Sequence, residues 1–294
     1  AVTGIVDVGD LLGLPLYSEE FAPRIVGTEN NPNGFAVLFI VGLPISAHYF
    51  FKSTRRRKVF HLMVFAMFGL LVFLTSSRAA VLAGLLACSF YLFFNLKSHF
   101  VRFLILGTLP LALLLALAIP AYVQTLSEES NQVIINDKEK AKEIRINTVF
   151  VVADILKENL LLGTGYGNLR DEFAERDFVE LGNAHNIFMG IAVEFGMFAL
   201  FFFSVIMVKT MKNIKFTLRH CGRSDERRVV ALGGAVFLGF LVNSMFHEGY
   251  VNILFWLTMI FIISAVRIIK FRREAPVSDS STDQSPILPS MVIP

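Results

Sequence analysis

The sequence predicts an all-α, polytopic integral-membrane bundle with seven transmembrane helices and one large external loop. Three observations predict it. The chain has 294 residues, of which 54% are hydrophobic and 17% charged, against roughly 45–50% and about 25% in a soluble domain. Its apolar residues gather in seven runs, at 34–51, 59–75, 79–96, 100–123, 186–208, 229–246 and 250–268. Its cations gather in blocks at every second connection between those runs.

Run length decides the element type. An α-helix needs about 20 apolar residues to cross about 30 Å of hydrocarbon, and these runs have that length. Lipid offers backbone amides no partner, so spanning segments satisfy them internally. Alternating strand patterns are absent from the sequence.

Charge gives the orientation. Lys52, Arg55, Arg56, Arg57 and Lys58 follow the first run, and Lys97 and Arg102 flank the third connection. Lys209, Lys212, Lys215, Arg219, Arg223, Arg227 and Arg228 lie between the fifth and sixth, and Arg267, Lys270, Arg272 and Arg273 close the seventh. Positive-inside bias makes these ends cytoplasmic and the alternate connections external. The pI near 8.9 therefore reads as topology and not as a nucleic-acid face. Segments follow accordingly: an external segment (1–33), helices one to four (34–123), an external loop (124–185), helices five to seven (186–268) and a disordered cytoplasmic tail (269–294). A chain that opens outside, without an initiator Met, reads as a piece lacking an odd number of upstream helices.

Local signals refine the elements. Asn31-Pro32 suits a helix start, and Ser77 suits the N-cap of helix three. Pro110 and Pro120 predict a kink in helix four. Within the external loop, Lys138 to Asn159 has helical periodicity, with Ile144, Val151, Val152, Ile155 and Leu156 on one face. Gly163-Thr164-Gly165-Tyr166-Gly167 then breaks the helix. It lacks the Gly-Lys-Ser/Thr of a nucleotide loop, and it is one residue short of a potassium filter and lacks a preceding pore helix. A tight turn that brings backbone close to a ligand fits it better. Cys88, within a helix, and Cys221, in a connection, have neither pairing geometry nor metal-ligand spacing.

The chemistry-bearing residues gather at the external boundary. Helices one, three, five and seven all start there, so their positive dipole ends and free amides favour anions. Asn33, Ser77, Arg78, His185, Asn186, His247 and Glu248 sit at or near those starts. Arg78 runs against the orientation bias; a snorkelling end residue is the plain alternative. Arg145, within the amphipathic helix, can grip phosphate with two parallel hydrogen bonds, or simply be solvated. His185 can take a proton near neutral pH, or cap its helix.

Taken together, Asn30-Asn31-Pro32-Asn33-Gly34, Thr75-Ser76-Ser77-Arg78-Ala79, Arg145 with Leu162-Gly163-Thr164-Gly165-Tyr166-Gly167, and Ala184-His185-Asn186-Ile187-Phe188 with Glu194-Phe195-Gly196 resemble the O-antigen ligase and polysaccharide polymerase superfamily of bacterial inner-membrane proteins. The resemblance spans about residues 24–268. It implies a helical bundle with a large periplasmic loop, of which this chain holds the later part. It implies transfer of a glycan from undecaprenyl diphosphate to lipid A core, a glycoprotein site or another lipid-linked glycan, with no metal or cofactor. Arg78 and Arg145 match residues thought to hold the diphosphate, and His185 matches the proposed base. Gly165, Tyr166, Asn33, Ser77, Asn186, His247 and Glu248 are the expected substrate-binding set. Ligase and polymerase share these features and differ in acceptor. A transporter or flippase would instead need ionisable residues at mid-membrane, and the cores of the seven runs contain almost none.

Overall fold

A computed structural model describes residues 32–75, 77–96, 131–178, 184–221, 224–247 and 252–274. Helices within them are α1 (Pro32–Lys52), α2 (Arg55–Leu74), α3 (Arg78–Asn95), α4 (Asn131–Glu158), α5 (Leu169–Glu175), α6 (Ile187–His220), α7 (Ser224–Ser244) and α8 (Ile253–Glu274). Six of these, all but α4 and α5, are long and apolar enough to cross a membrane. The expected helix over 100–123, with its proline kink, and most of the expected N-terminal segment lie outside the described residues.

The bundle is organised around α7. Contacts along its length fix the directions of its neighbours. A Cβ on Gly239 would meet Ile40 of α1 and Ala87 of α3, whereas one on Gly234 would meet Phe90 of α3 and Ile214 of α6. Phe255 of α8 meets Phe240 edge-on with ring centroids 6.2 Å apart, and Ile262 lies against Gly233. Thus α1, α3, α6 and α8 all run antiparallel to α7, and their N-termini gather at its C-terminal end. That agrees with the common direction expected for helices one, three, five and seven.

Small residues make this close approach possible. Gly233, Gly234, Gly239, Ala231 and Ala235 on α7 and Ala80, Ala83, Gly84 and Ala87 on α3 are all buried, and Gly239 packs directly against Ala87 and Ala83. Between membrane helices, where apolar burial drives association weakly, such contacts supply the dispersion energy. Outer faces carry the opposite character. α2 buries only Val72 and exposes Phe60, Met63, Met67 and Leu70, and α6 exposes Phe198, Phe201 and Phe202. An apolar outer surface on spanning helices is the mark of a multi-pass membrane protein.

The observed boundaries depart from the sequence reading in four places. First, the basic segment expected between helices five and six is itself helical: α6 runs to His220 and α7 starts at Ser224. Thr210, Ile214, Thr217 and Leu218 are buried, so the cations occupy only the exposed stripe of a continuing helix. Second, α8 extends six residues into the expected tail, to Glu274, because Ile269 stays buried; residues 275–294 lie outside the described residues. Third, α4 begins at Asn131 and not at Lys138. Fourth, the charged stretch after Asn168 contains a short helix, α5, anchored by Leu169 and Phe173 at i and i+4, both buried.

The amphipathic reading of α4 holds. Val151, Val152 and Ile155 are buried with Leu169, Phe173, Ala184 and Val193, and Ile144 and Leu156 pack against them. Its apolar stripe therefore docks on α5 and α6. Arg176 ties this subdomain together, pairing with Glu172 of α5 and Glu158 at the end of α4.

Gly239→Leu should lower the melting temperature of the detergent-purified protein, at a cost of about 1–3 kcal/mol, because the added atoms meet Ile40 and Ala87. Gly69→Ala, whose Cβ meets nothing within 4 Å, should leave melting unchanged or raise it slightly.

Candidate functional site

Three local devices shape the end of the bundle where the N-termini meet. The first is the start of α3. Ser77 is buried, and its hydroxyl accepts from the Ala80 amide at 3.1 Å, so the expected N-cap is present; such a cap stabilises by about 1 kcal/mol. Thr75 supports it, accepting from the Ser77 amide at 3.4 Å and donating to the Val72 carbonyl at 2.7 Å. The cap fixes Arg78 as the first residue of α3, with its side chain exposed. Helix polarity puts this end beside the start of α6.

The second device is the start of α6. Asn186 is its N-cap: Oδ1 accepts from the amides of Phe188 at 2.8 Å and Met189 at 3.2 Å. The amide nitrogen of the same side chain donates to the Met245 carbonyl at 2.9 Å. One residue thus caps α6 and ties it to the end of α7. Immediately before it, His185 has φ of 50°, a left-handed conformation that costs a residue with a Cβ roughly 1–2 kcal/mol. Such strain persists where surrounding structure over-determines it, and it clusters at functional sites.

His185, Asn186, Met189, Thr148, Met245 and Phe246 surround a pocket of about 210 Å³ that also touches Val149 and Ala184. Thr148 and Val149 come from α4, and Arg145 lies three and four positions before them on that helix. The Arg145 side chain is outside the described residues, as are those of Asn33 and Glu248.

His247 stands close enough to His185 to feel its charge. Burial first, and the His185 charge second, hold the His247 ring below its ordinary 6.5. A charge on His185 therefore disfavours one on His247.

The third device is a break in α6. Gly196 has φ of 82° and ψ of 173°, a region open essentially to glycine. The break frees backbone groups in a buried setting, where an unpaired group is costly. The Gly-rich loop supplies partners. The Thr164 amide donates to the Val193 carbonyl at 2.8 Å, Gly165 to Glu194 at 2.9 Å, and Met197 of α6 back to Leu160 at 2.9 Å. The buried Glu194 carboxylate accepts from the Gly167 amide at 3.2 Å. Gly163, Gly165 and Gly167 all have positive φ. The backbone that the tight turn approaches is thus that of α6. Tyr166 is 66% exposed and stacks on Phe195 with ring centroids 5.9 Å apart.

The expected site residues thus fall into groups. His185, Asn186 and His247 come together, Arg78 and Ser77 stand at the same end on α3, and Gly165 and Tyr166 sit at the α6 break. Sequence reasoning missed Glu194, Thr148 and Met245. Glu194-Phe195-Gly196 was visible as a motif, and Thr148 follows from its helical spacing to Arg145; nothing local marks Met245. Among the described residues, no cluster of three His, Cys, Asp or Glu could hold a metal ion.

Residues 62–204 match the family model for O-antigen ligase (Wzy_C). That stretch is consistent with the O-antigen ligase superfamily. Arg78, Arg145, Gly165, Tyr166, His185, Asn186 and Glu194 lie inside the matched stretch, while Asn33, His247 and Glu248 lie outside it. No curated protein matches the chain. The match associates residues 62–204 with O-antigen ligase or polymerase-like function.

Two outcomes test these devices. Gly196→Ala should cost more than the roughly 1–2 kcal/mol of positive φ alone, because its Cβ collides with the Leu161 carbonyl. Gly167→Ala, with φ of 84° in open space, should cost only the conformational part; thermal melts of both variants separate the two. For His247, a ring held below 6.5 favours the folded state fully above that pH and less as pH falls through it. Melting temperature should therefore drop below about pH 6.5, and His247→Gln should flatten that dependence.

Proposed function

We propose that this chain transfers a glycan from an undecaprenyl diphosphate donor to an acceptor at the external, periplasmic face of the bacterial inner membrane. The acceptor hydroxyl attacks the anomeric carbon, the bond from that carbon to the diphosphate oxygen breaks, and the lipid diphosphate leaves. His185 takes the proton of the attacking hydroxyl. Arg78 and Arg145 hold the diphosphate and stabilise the charge that grows on it, aided by the helix N-termini gathered at that end. Direct attack inverts the anomeric centre.

One observation carries the reading: His185 sits in a strained conformation at the mouth of a pocket, within the segment that matches the O-antigen ligase family. Three others support it. Asn186 spends its own side chain on capping and on Met245, which leaves His185 as the imidazole on that pocket wall. Residues of α4 one turn beyond Arg145 line the same pocket. His247 lies close enough to His185 to be held below its ordinary pKa by that ring's charge as well as, first, by burial, which places a second imidazole beside the first.

Lipid A core, a glycoprotein site or a second lipid-linked glycan would each serve as acceptor. The last would make the chain a repeat-unit polymerase with the same donor chemistry.

A transfer assay with a lipid-linked oligosaccharide and candidate acceptors tests the reading. Arg78→Ala should abolish transfer while the protein still expresses and melts normally, and His185→Ala should slow it by about 10²–10⁴. Wild-type turnover in Arg78→Ala would remove the diphosphate-binding role.

A further inference from the structure

A second concavity lies at the opposite, basic end of the bundle, between the later turns of α6 and of α8. It measures about 200 Å³ and is lined by Thr210 and Asn213 of α6 and by Ile262, Val266, Arg267 and Lys270 of α8. Nothing in the proposed transfer uses it. We propose that this groove binds an anionic phospholipid, with the headgroup phosphate between Arg267 and Lys270 and an acyl chain along the apolar wall.

The groove is divided as such a ligand is divided. Ile262 and Val266 are buried and give a fixed apolar floor. Arg267 and Lys270, three positions apart on α8, stand on one helix face. Lys270 is already positioned: its ammonium donates to Asn213 Oδ1 at 2.9 Å and lies 5.1 Å from the Phe216 ring centroid. A cation held before binding loses less entropy on binding.

Charge selects the class of lipid. No carboxylate lines the groove among the described residues, so its two cations face no opposite charge from the lining. A zwitterionic headgroup would bring its own cation against Lys270. The C-terminal dipole of α8 works against an anion, but it amounts to about half a charge, and two full cations outweigh it. Depth agrees with the chemistry, since basic pockets between spanning helices on the cytoplasmic side bind anionic headgroups. The basic ends of α6 and α8 have that orientation by the positive-inside bias. An apolar wall below a cationic rim suits a lipid, whereas a free phosphate would use the rim alone.

The test uses the full chain purified in detergent, with bound lipid read by native mass spectrometry. Probes are phosphatidylglycerol, phosphatidylcholine and inorganic phosphate. Wild type should retain phosphatidylglycerol about thirtyfold better than phosphatidylcholine. Arg267→Gln/Lys270→Gln should lose most of that preference, and Lys270→Arg should keep it. Arg55→Gln/Arg56→Gln removes the same charge from the same end outside the groove and should change little. If the double variant does not fold, Arg267→Gln alone, at an exposed position, should lose part of the preference. Equal loss in the Arg55/Arg56 pair, equal retention in the groove variant, or displacement of the lipid by inorganic phosphate at matching concentration would each overturn the proposal.

Discussion

The break in α6 and the loop that closes it hold the candidate site together. A spanning helix that stops and restarts leaves carbonyls and amides without partners, and in apolar surroundings that is costly. Here the Val193 and Glu194 carbonyls and the Met197 amide all pair with residues 160–165. The repair has a mechanical result. The loop is the direct continuation of α4, so each hydrogen bond that mends α6 also fixes the end of α4 against it. Glu194 adds a second tie by accepting from Gly167. Helix α4 is therefore held twice, through this buckle and through the Val151, Val152 and Ile155 stripe. Two attachments fix its register along α6 as one would not, and register decides which α4 residues reach the pocket beside His185.

The second constraint is the small-residue seam of α7. Helices approach only as closely as their side chains permit. With glycine at three positions on α7 meeting α1, α3, α6 and α8, a single helix can serve four antiparallel neighbours. The gathering of four N-termini at one end follows from that arrangement. The anion-favouring character of that end is therefore a property of topology before it is a property of any side chain.

Much of this was legible in the sequence, for identifiable reasons. Long apolar runs and alternating cations gave the six described spans and the common direction of four of them, because both signals sum over many residues. The face of α4 was readable because Ile144, Val151, Val152, Ile155 and Leu156 repeat at helical spacing. Boundaries failed where charge interrupted hydropathy without interrupting the helix. Lys209, Lys212 and Lys215 sit on one side of α6 while Thr210, Ile214 and Thr217 stay buried on the other. The break in α6 was illegible for the opposite reason. Gly196 lies within a long apolar run that near it only Glu194 interrupts, and glycine alone does not distinguish a continuing helix from a stop. Only the distant partner, Leu160 to Gly165, makes the difference, and hydrogen bonds across some thirty residues leave no periodic trace. Asn186 was foreseen near the site, but its tie to Met245 depends on how α6 and α7 meet.

The two ends of the bundle divide their electrostatics in a way that bears on how the site works. At one end helix N-termini carry fixed partial positive charge, with Arg78 as a full charge at the start of α3. At the other end it is full and plentiful. The diphosphate leaving group of the proposed transfer would gain charge during reaction, so it would be best met by groups already oriented, which need no reorganisation as the charge grows. Capped helix starts meet that requirement: Ser77 and Asn186 hold the first turns of α3 and α6 in place by hydrogen bonds to their own backbones. A cluster of lysines there would bind the donor tightly in its ground state without favouring the transition state. His185 carries its strain at a pocket that the start of α6 and the residues ending α7 both line.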